Sequence, residues 1–310
     1  MGKYVFGVDI GGTTVKIGLL TTAGEMVDKW EIVTRKEDKG ANILPDVAAS
    51  IEAKLKERSI DKSEVEGIGI GVPGPVTADG IVLRAVNLGW GRLNIAEKME
   101  ELTGIKSNGG NDANVAALGE MWKGGGMGFN SIVMVTLGTG VGGGIIIDGK
   151  ILTGARGAGG EIGHIHVKDG ETRTCGCGNH GCFEQYASAT GLSFLASEQF
   201  KAWKGNTCLT GNDLSAKAVF DGVKAGDELC KNIAKEYGDY LGKGLAVITS
   251  TIDPEAIVIG GGVSKAGQIL IDYLKPAFNE TVFGDCRDVE IKLATLGNDA
   301  GMYGAAKLVL

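Results

Sequence analysis

The chain has 310 residues, 43% of them hydrophobic and 22% charged, the composition of an ordinary water-soluble globular protein with room for two domains. Its formal charge of −7 and pI near 5.2 argue against general binding to nucleic acid or an anionic membrane, so an anionic ligand needs a local trap of backbone amides. No apolar run approaches transmembrane length and Tyr4 opens a strand without a leader pattern, so the chain reads as cytoplasmic.

The apolar pattern predicts a strand at Tyr4–Asp9 and its return at Val15–Leu20, around the turn Gly11-Gly12-Thr13-Thr14. A strand at Met26–Val33 follows, then a helix at about Pro45–Arg58 with Val47, Ala48, Ile51 and Leu55 on one face. Val65–Val72 reads as a buried strand ending in Pro73-Gly74-Pro75. Ile95–Leu102 reads as a helix with Asn94 as N-cap and Gly104 as its stop. The stretch from Ile105 to Gly110 is polar, with two glycines that give no side-chain anchor, and reads as flexible. A helix begins near Asp112 and ends at Gly124. Ser131–Leu137 and Ile145–Ile147 form a second hairpin around the glycines from Gly138 to Gly144, and the chain beyond residue 184 is mostly helical to about Thr251. Asp253-Pro254 then leads to a strand at Ala256–Ile259 and to Gly260-Gly261-Gly262, which opens another helix.

Glycine is the outlier, 53 residues clustered at strand ends, a pattern suited to backbone that must approach phosphate closely. Val8-Asp9-Ile10-Gly11-Gly12-Thr13 and Val135-Thr136-Leu137-Gly138-Thr139-Gly140 echo each other, each a buried strand breaking into a Gly/Thr turn. A duplicated unit with the two turns facing each other would offer amides and hydroxyls to one polyphosphate from both sides. The first turn is not a Walker A loop, nor is it Gly-x-Gly-x-x-Gly opening a helix, and this hairpin context at Gly11 counts against a nicotinamide-dependent oxidoreductase. Asp9 can hold a Mg²⁺-bound water against phosphate or can cap turn amides. Asp112 is an N-cap by default and a general base for a substrate hydroxyl in the functional reading, with Asn111 bonding a neighbouring hydroxyl.

His164, Cys175, Cys177 and Cys182 have the residue types and spacing of a tetrahedral Cys₃His zinc site. His166 and His180 compete as the imidazole ligand. With all ligands from protein, such an ion is structural, and one ring nitrogen of His164 can bind it while the other points at substrate. Glu161 and Glu184, around the cluster, suit acceptance of hydrogen bonds from polyol hydroxyls. Cys208, Cys230 and Cys286 are scattered and read as plain core or surface thiols.

Together these motifs resemble the ROK family of sugar kinases and repressors. The match runs through Val8–Lys16, Gly71–Pro75, Asn87–Trp90, Asn111–Asn114, Leu137–Gly144, the Glu161–Glu184 block, Gly260–Ser264 and Leu296–Gly301. The resemblance implies an α/β chain with an actin-like ATPase (ribonuclease-H-like) fold, two domains closing over a cleft. The smaller domain is expected at 1–115 plus 299–310, with the first phosphate hairpin and the catalytic Asp, and the larger at 116–298, with the second hairpin and the zinc loop. The implied activity is ATP-dependent phosphorylation of glucose at its 6-hydroxyl. Fructose, mannose, N-acetylmannosamine or N-acetylglucosamine is the alternative substrate. By position, Asp112 is then the catalytic base, and Asn111, Asp112, Glu161, His164 and Glu184 bind sugar. His164, Cys175, Cys177 and Cys182 bind Zn²⁺. Asp9, Gly11, Gly12, Thr13, Thr14, Gly138, Thr139, Gly140 and Gly142 hold phosphates and Mg²⁺, and Gly261 and Gly262 lie near the adenosine. A homodimer is the family expectation. A sugar-sensing transcriptional regulator on the same fold would need an N-terminal DNA-reading module, for which the first strand at Tyr4 leaves no room.

Overall fold

The computed structural model describes residues 2–310. In chain order the elements are β1 (Tyr4–Ile10), β2 (Thr14–Thr21), β3 (Met26–Val33), α1 (Glu37–Gly40), α2 (Ile43–Arg58), β4 (Val65–Val72), β5 (Ile81–Val82), β6 (Leu93–Asn94), α3 (Ile95–Thr103), β7 (Ser107–Asn111), α4 (Asp112–Lys123), β8 (Ile132–Leu137), β9 (Val141–Ile147) and β10 (Lys150–Ile151). They continue as α5 (Glu184–Ala187), α6 (Ala189–Ala202), α7 (Ala216–Lys224), α8 (Glu228–Ile252), β11 (Ala256–Gly260), α9 (Gln268–Thr281), β12 (Glu290–Leu293) and α10 (Ala300–Lys307).

The sequence echo extends to the sheets. One five-stranded sheet runs β3-β2-β1-β4-β7 and the other β10-β9-β8-β11-β12, so each places a Gly/Thr turn between its central strand and the strand returning beside it. Contacts divide the chain into two units, Met1–Ile132 with Gly144–Gly160 and Thr295–Leu310, and Val133–Gly143 with Glu161–Ala294. The boundary expected at 115/116 falls inside α4, which stays whole with the first unit because it interlocks with α10. A methyl at Gly304 would overlap Val115 O, and one at Gly119 would overlap Ala300 O.

In the first unit, alternation along β1 assigns each face. Phe6, Val8 and Ile10 point into the core against Val47 and Ile51 of α2. Val5, Gly7 and Asp9 point the other way, where Val5 packs with Ala306 of α10 and a methyl at Gly7 would overlap Met302 O. Strand β4 repeats the scheme, with Ile68, Ile70 and Val72 in the core and Gly69 against Ala305 O. Many of the glycines therefore let a helix lie flat on strands, and phosphate approach accounts for only part of the excess.

The segment before Asn111 is a strand, contrary to its polar composition. β7 pairs in parallel with β4, Ile70 beside Gly109, Gly71 beside Gly110 and Val72 beside Asn111. Both glycines are buried, and a methyl at Gly110 would come within 2.9 Å of Val115 Cγ1. The backbone ladder and the crowding anchor this strand, so it needs no side chains of its own.

In the second unit, α8 spans the core with Tyr237 fully buried and its hydroxyl donating to Ala187 O at 2.6 Å. Helix α9 packs along α8. Among the described residues no helix is long and apolar enough to cross a membrane.

Candidate active site and metal cluster

In the first unit, β1, β4 and β7 are parallel and end on one edge, where open α/β sheets place their ligands. Asp9 and the Asn111-Asp112 pair both lie on that edge. Burial, together with the nearby Asp112 carboxylate and against the opposing pull of Lys16, pushes the Asp9 carboxyl up to about 6. The Asp9 side chain rests on the first turn of α10, where a methyl at Gly301 would lie 2.7 Å from its carboxyl carbon. Glycine at 301 is what lets the carboxylate sit there.

The cap of α4 is Asn111 rather than Asp112. Asn111 Oδ1 accepts from Asn114 N at 3.1 Å, while its Nδ2 donates to Gly74 O and to Asp112 Oδ1, both at 3.0 Å. Asp112 Oδ1 also accepts from Ala113 N at 2.8 Å. Asn111 thus does the capping and orients the neighbouring carboxylate, and Pro73-Gly74-Pro75 is the turn that receives its amide. In the first hairpin, Gly11 N donates to Thr14 O at 3.0 Å, and nothing stands within 4 Å of where a side chain at Gly12 would begin. Gly12 therefore faces open space at the tip of a turn whose flanking backbone is already hydrogen-bonded through Gly11 N, Gly11 O and Thr13 O.

In the second unit, Gly138 N donates to Gly140 O at 3.0 Å, the same tight closure. Here a carboxylate braces the turn. Glu184 Oε2 accepts from Val141 N at 3.0 Å, and its Oε1 lies 3.8 Å from Cys175 Sγ. A methyl at Gly140 would overlap Glu184 Oε2. Glu184 therefore joins the cysteine cluster to the hairpin of Gly138, Thr139 and Gly140, a second task beside the sugar contact expected of it. Thr190 Oγ1 donates to Thr139 O at 2.8 Å, while Gly142 lies within β9. Gly261, with φ +84°, lies against the strand that leads into this hairpin, where an added methyl would come within 2.5 Å of Leu137 O; nothing crowds Gly262. A cavity of about 230 Å³ adjoins Gly262, walled by α7 residues that include Phe220 and Lys224.

His164, Cys175, Cys177 and Cys182 converge, their ligand atoms all within 4.8 Å of one another. His164 Nδ1 lies 3.7 Å from Cys175 Sγ and Cys177 Sγ lies 3.7 Å from Cys182 Sγ. A tetrahedron with metal–sulfur bonds of about 2.3 Å has edges of roughly 3.8 Å. Burial and the other two sulfurs push the Cys182 thiol up to about 12, while the backbone N–H of Asn179 holds Cys177 low. Three thiols and one imidazole at tetrahedral-edge separations are a donor set that fits Zn²⁺. The competing imidazoles are occupied elsewhere. His166 sits 2.9 Å from Asp169 Oδ1 and 3.1 Å from His180 O, and His180 Nε2 lies 3.3 Å from Thr174 Oγ1. His164 Nε2 lies 3.9 Å from Glu161 Oε2, so its second nitrogen faces the exposed acid rather than the cluster.

Three contributors escape a sequence reading. Glu171 and Arg173 form a half-buried ion pair, Arg173 stacked 3.5 Å from the Phe194 ring centroid, and the guanidinium holds the Glu171 carboxyl down to about 2. Gln185 accepts from Cys182 N at 3.1 Å and donates to Arg173 O at 2.9 Å, stitching the cysteine loop to α5. Glu120, fully buried, accepts from Gly125 N, Thr295 N and Leu296 N at 2.8 to 3.0 Å. A lone Glu in a helix carries no sequence signal; only the burial of its α4 neighbours could have hinted at it.

The chain belongs to the ROK family, whose pattern matches residues 5–310. It has the actin-like ATPase fold of that family's sugar kinases. It is 44% identical to the glucokinase of Halalkalibacterium halodurans over 99% of this chain and 95% of that protein. Among solved structures it is similar to a ROK family glucokinase from Streptomyces griseus in complex with glucose and AMPPNP (33% identity, 98% of each chain, TM-score 0.74). It is also similar to the ROK hexokinase of Thermus thermophilus (31% identity, 98% of this chain and 97% of that one, TM-score 0.80).

Proposed function

We propose that this chain is an ATP-dependent glucokinase that phosphorylates glucose at the 6-hydroxyl. The observation that carries the chemistry is the pairing of Asp9 and Asp112 on one sheet edge, close enough for Asp112 to raise the Asp9 pKa. One carboxylate of such a pair can serve the phosphates while the other serves the sugar.

Asp112, held by Asn111 and by Ala113 N, takes the proton from the primary hydroxyl, and the hydroxyl oxygen attacks the γ-phosphorus in line with the departing ADP. Residues 11–14 and 138–142 offer backbone amides and hydroxyls to the phosphate oxygens as charge moves toward ADP. The Mg²⁺ that phosphoryl transfer uses would be held at Asp9 and supplies charge neutralisation. The adenosine takes the cavity beside Gly261 and Gly262. Asn111, Glu161, His164 and Glu184 replace the water around the sugar hydroxyls, which makes binding selective for a polyol. Zn²⁺ at His164, Cys175, Cys177 and Cys182 would be structural, fixing the imidazole tautomer and holding the loop that carries these side chains. The chain acts as a homodimer in the cytoplasm.

The test is a panel of hexoses with ATP and Mg²⁺, reading ADP release. This reading expects turnover that depends on sugar, with glucose giving the highest kcat/KM. ADP release at the same rate with and without sugar would overturn the kinase assignment, and a higher kcat/KM for fructose, mannose or an N-acetylhexosamine would replace glucose.

A further inference from the structure

Cys208 and Cys230 lie far apart in sequence, yet their sulfurs are 4.0 Å apart. Cys230 is fully buried in the first turn of α8, while Cys208 is exposed in the segment between α6 and α7. One carboxylate sets their spacing. Asp227 Oδ1 accepts from Cys230 N at 3.0 Å as the cap of α8, and Asp227 Oδ2 accepts from Cys208 N at 2.7 Å. Thr207 Oγ1 adds a third bond to Oδ1 at 3.2 Å. With both cysteine backbones on one carboxylate, the two side chains start from neighbouring, anchored positions. Gly222 of α7 forms the wall over them, where a methyl would overlap Cys230 Sγ and come within 2.9 Å of Cys208 Sγ.

Two thiols and a carboxylate are the donor types of a cation site. However, Asp227 already accepts three hydrogen bonds, and the described residues bring no fourth ligand to the group. A tetrahedral ion needs a fuller set. One exposed thiol touching one buried thiol suits exchange chemistry instead.

We propose that Cys208 and Cys230 are a reversible redox pair, a modification site distinct from the Cys₃His cluster, that closes to an intramolecular disulfide by exchange with a low-molecular-weight disulfide. The exposed Cys208 thiolate attacks one sulfur of the small disulfide, forming a mixed disulfide and expelling a small thiolate. The Cys230 sulfur then attacks Cys208 Sγ, its proton passes to the second departing thiolate, and the Sγ–Sγ bond forms. The protein loses two hydrogens and the small disulfide is reduced to two thiols. Burial and the Asp227 carboxylate hold the Cys230 thiol well above its ordinary range, which leaves the first attack to the exposed Cys208. Bond formation draws the sulfurs from 4.0 Å to about 2.05 Å. The exposed segment around Cys208 supplies that movement, and the link fastens it to the start of α8.

The test is to incubate the full-length protein with oxidised glutathione, alkylate, and map peptides without reduction. The expected product is a Cys208–Cys230 crosslink within one chain, lighter by two hydrogens and reversed by dithiothreitol, with a raised Tm. Cys230→Ser should leave a stable glutathione adduct on Cys208, and Cys208→Ser, an exposed and structurally mild change, should leave Cys230 reduced. The proposal is overturned if both thiols stay alkylatable, if Cys208 links to a second chain, or if metal analysis finds an ion held by Cys208 and Cys230 that blocks the exchange.

Discussion

The candidate site residues fall into two halves, one in each unit, that are held by different means. Asp9, Asn111 and Asp112 stand at the ends of parallel strands, fixed by a backbone ladder and by helices packed against glycine. Glu161, His164 and Glu184 stand on short helical turns, at 162–164 and at the start of α5, beside the cysteine cluster, the Glu171–Arg173 pair and Gln185. The first half is rigid because its backbone is buried and paired. The second half has only short elements of its own and is held by contacts among side chains of the cysteine loop. The same contrast separates the hairpins. One is backed by a carboxylate whose burial costs energy, and the other is braced by Glu184 between Val141 and the cluster.

The contrast can be broken most strongly at Asp112. Asp112→Asn should fold normally and lower kcat about 10²- to 10⁴-fold, the range for losing a positioned base. Steady-state kinetics with circular dichroism check it, and near-unchanged kcat would remove Asp112 from the base role. Next is Cys177→Ser, or a strong chelator, which should loosen only the second half. KM for sugar should rise roughly 10- to 100-fold, while hydrogen exchange of residues 107–111 stays slow. Fast exchange there would show that the first half also depends on the cluster.

Gly69→Ala tests the first half's dependence on close packing. The added methyl meets α10 backbone, which cannot move aside as a side chain tip does, so the loss should be roughly 3 kcal/mol, read as a lower denaturation midpoint. The smallest expected shift is the stability change in Asp9→Asn. Because the folded Asp9 carboxyl binds its proton more tightly than an unfolded one, stability falls as pH rises from 3.8 to about 6. That displacement is worth at most ~3 kcal/mol. The variant should therefore gain stability at pH 8 and gain little near pH 4, while losing phosphoryl transfer. In the unaltered chain, apparent Mg²⁺ affinity should weaken as pH drops through about 6. A variant equally stabilised at both pH values would contradict the assigned cause.

Elements whose stability is local could be read directly. Asn94 caps α3, accepting from Glu97 N at 3.1 Å, and Gly104 ends that helix in the left-handed region, as their residue types require. The cysteine cluster was legible for the same reason, since its ligands lie close in sequence. Where stability is borrowed, the pattern misleads. β7 looks flexible because its anchor is Ile95, Val115 and the β4 ladder, none of which its own residues announce. Pro45 falls two residues inside α2, where the first turn's unpaired N–H groups tolerate it, rather than opening the helix. Asn111 takes the cap from Asp112 because the backbone at 111 is extended. The Cys208–Cys230 contact depends on α7 and α8 meeting at Gly222, which no spacing rule encodes.

The most direct measurement is phosphorus-31 and carbon-13 NMR of the protein with ATP, Mg²⁺ and carbon-13 glucose. The account predicts that phosphate appears on C6, one ADP forms for each sugar phosphorylated, and inorganic phosphate stays at background. Phosphate on another carbon, or release of inorganic phosphate in place of sugar phosphate, would contradict it.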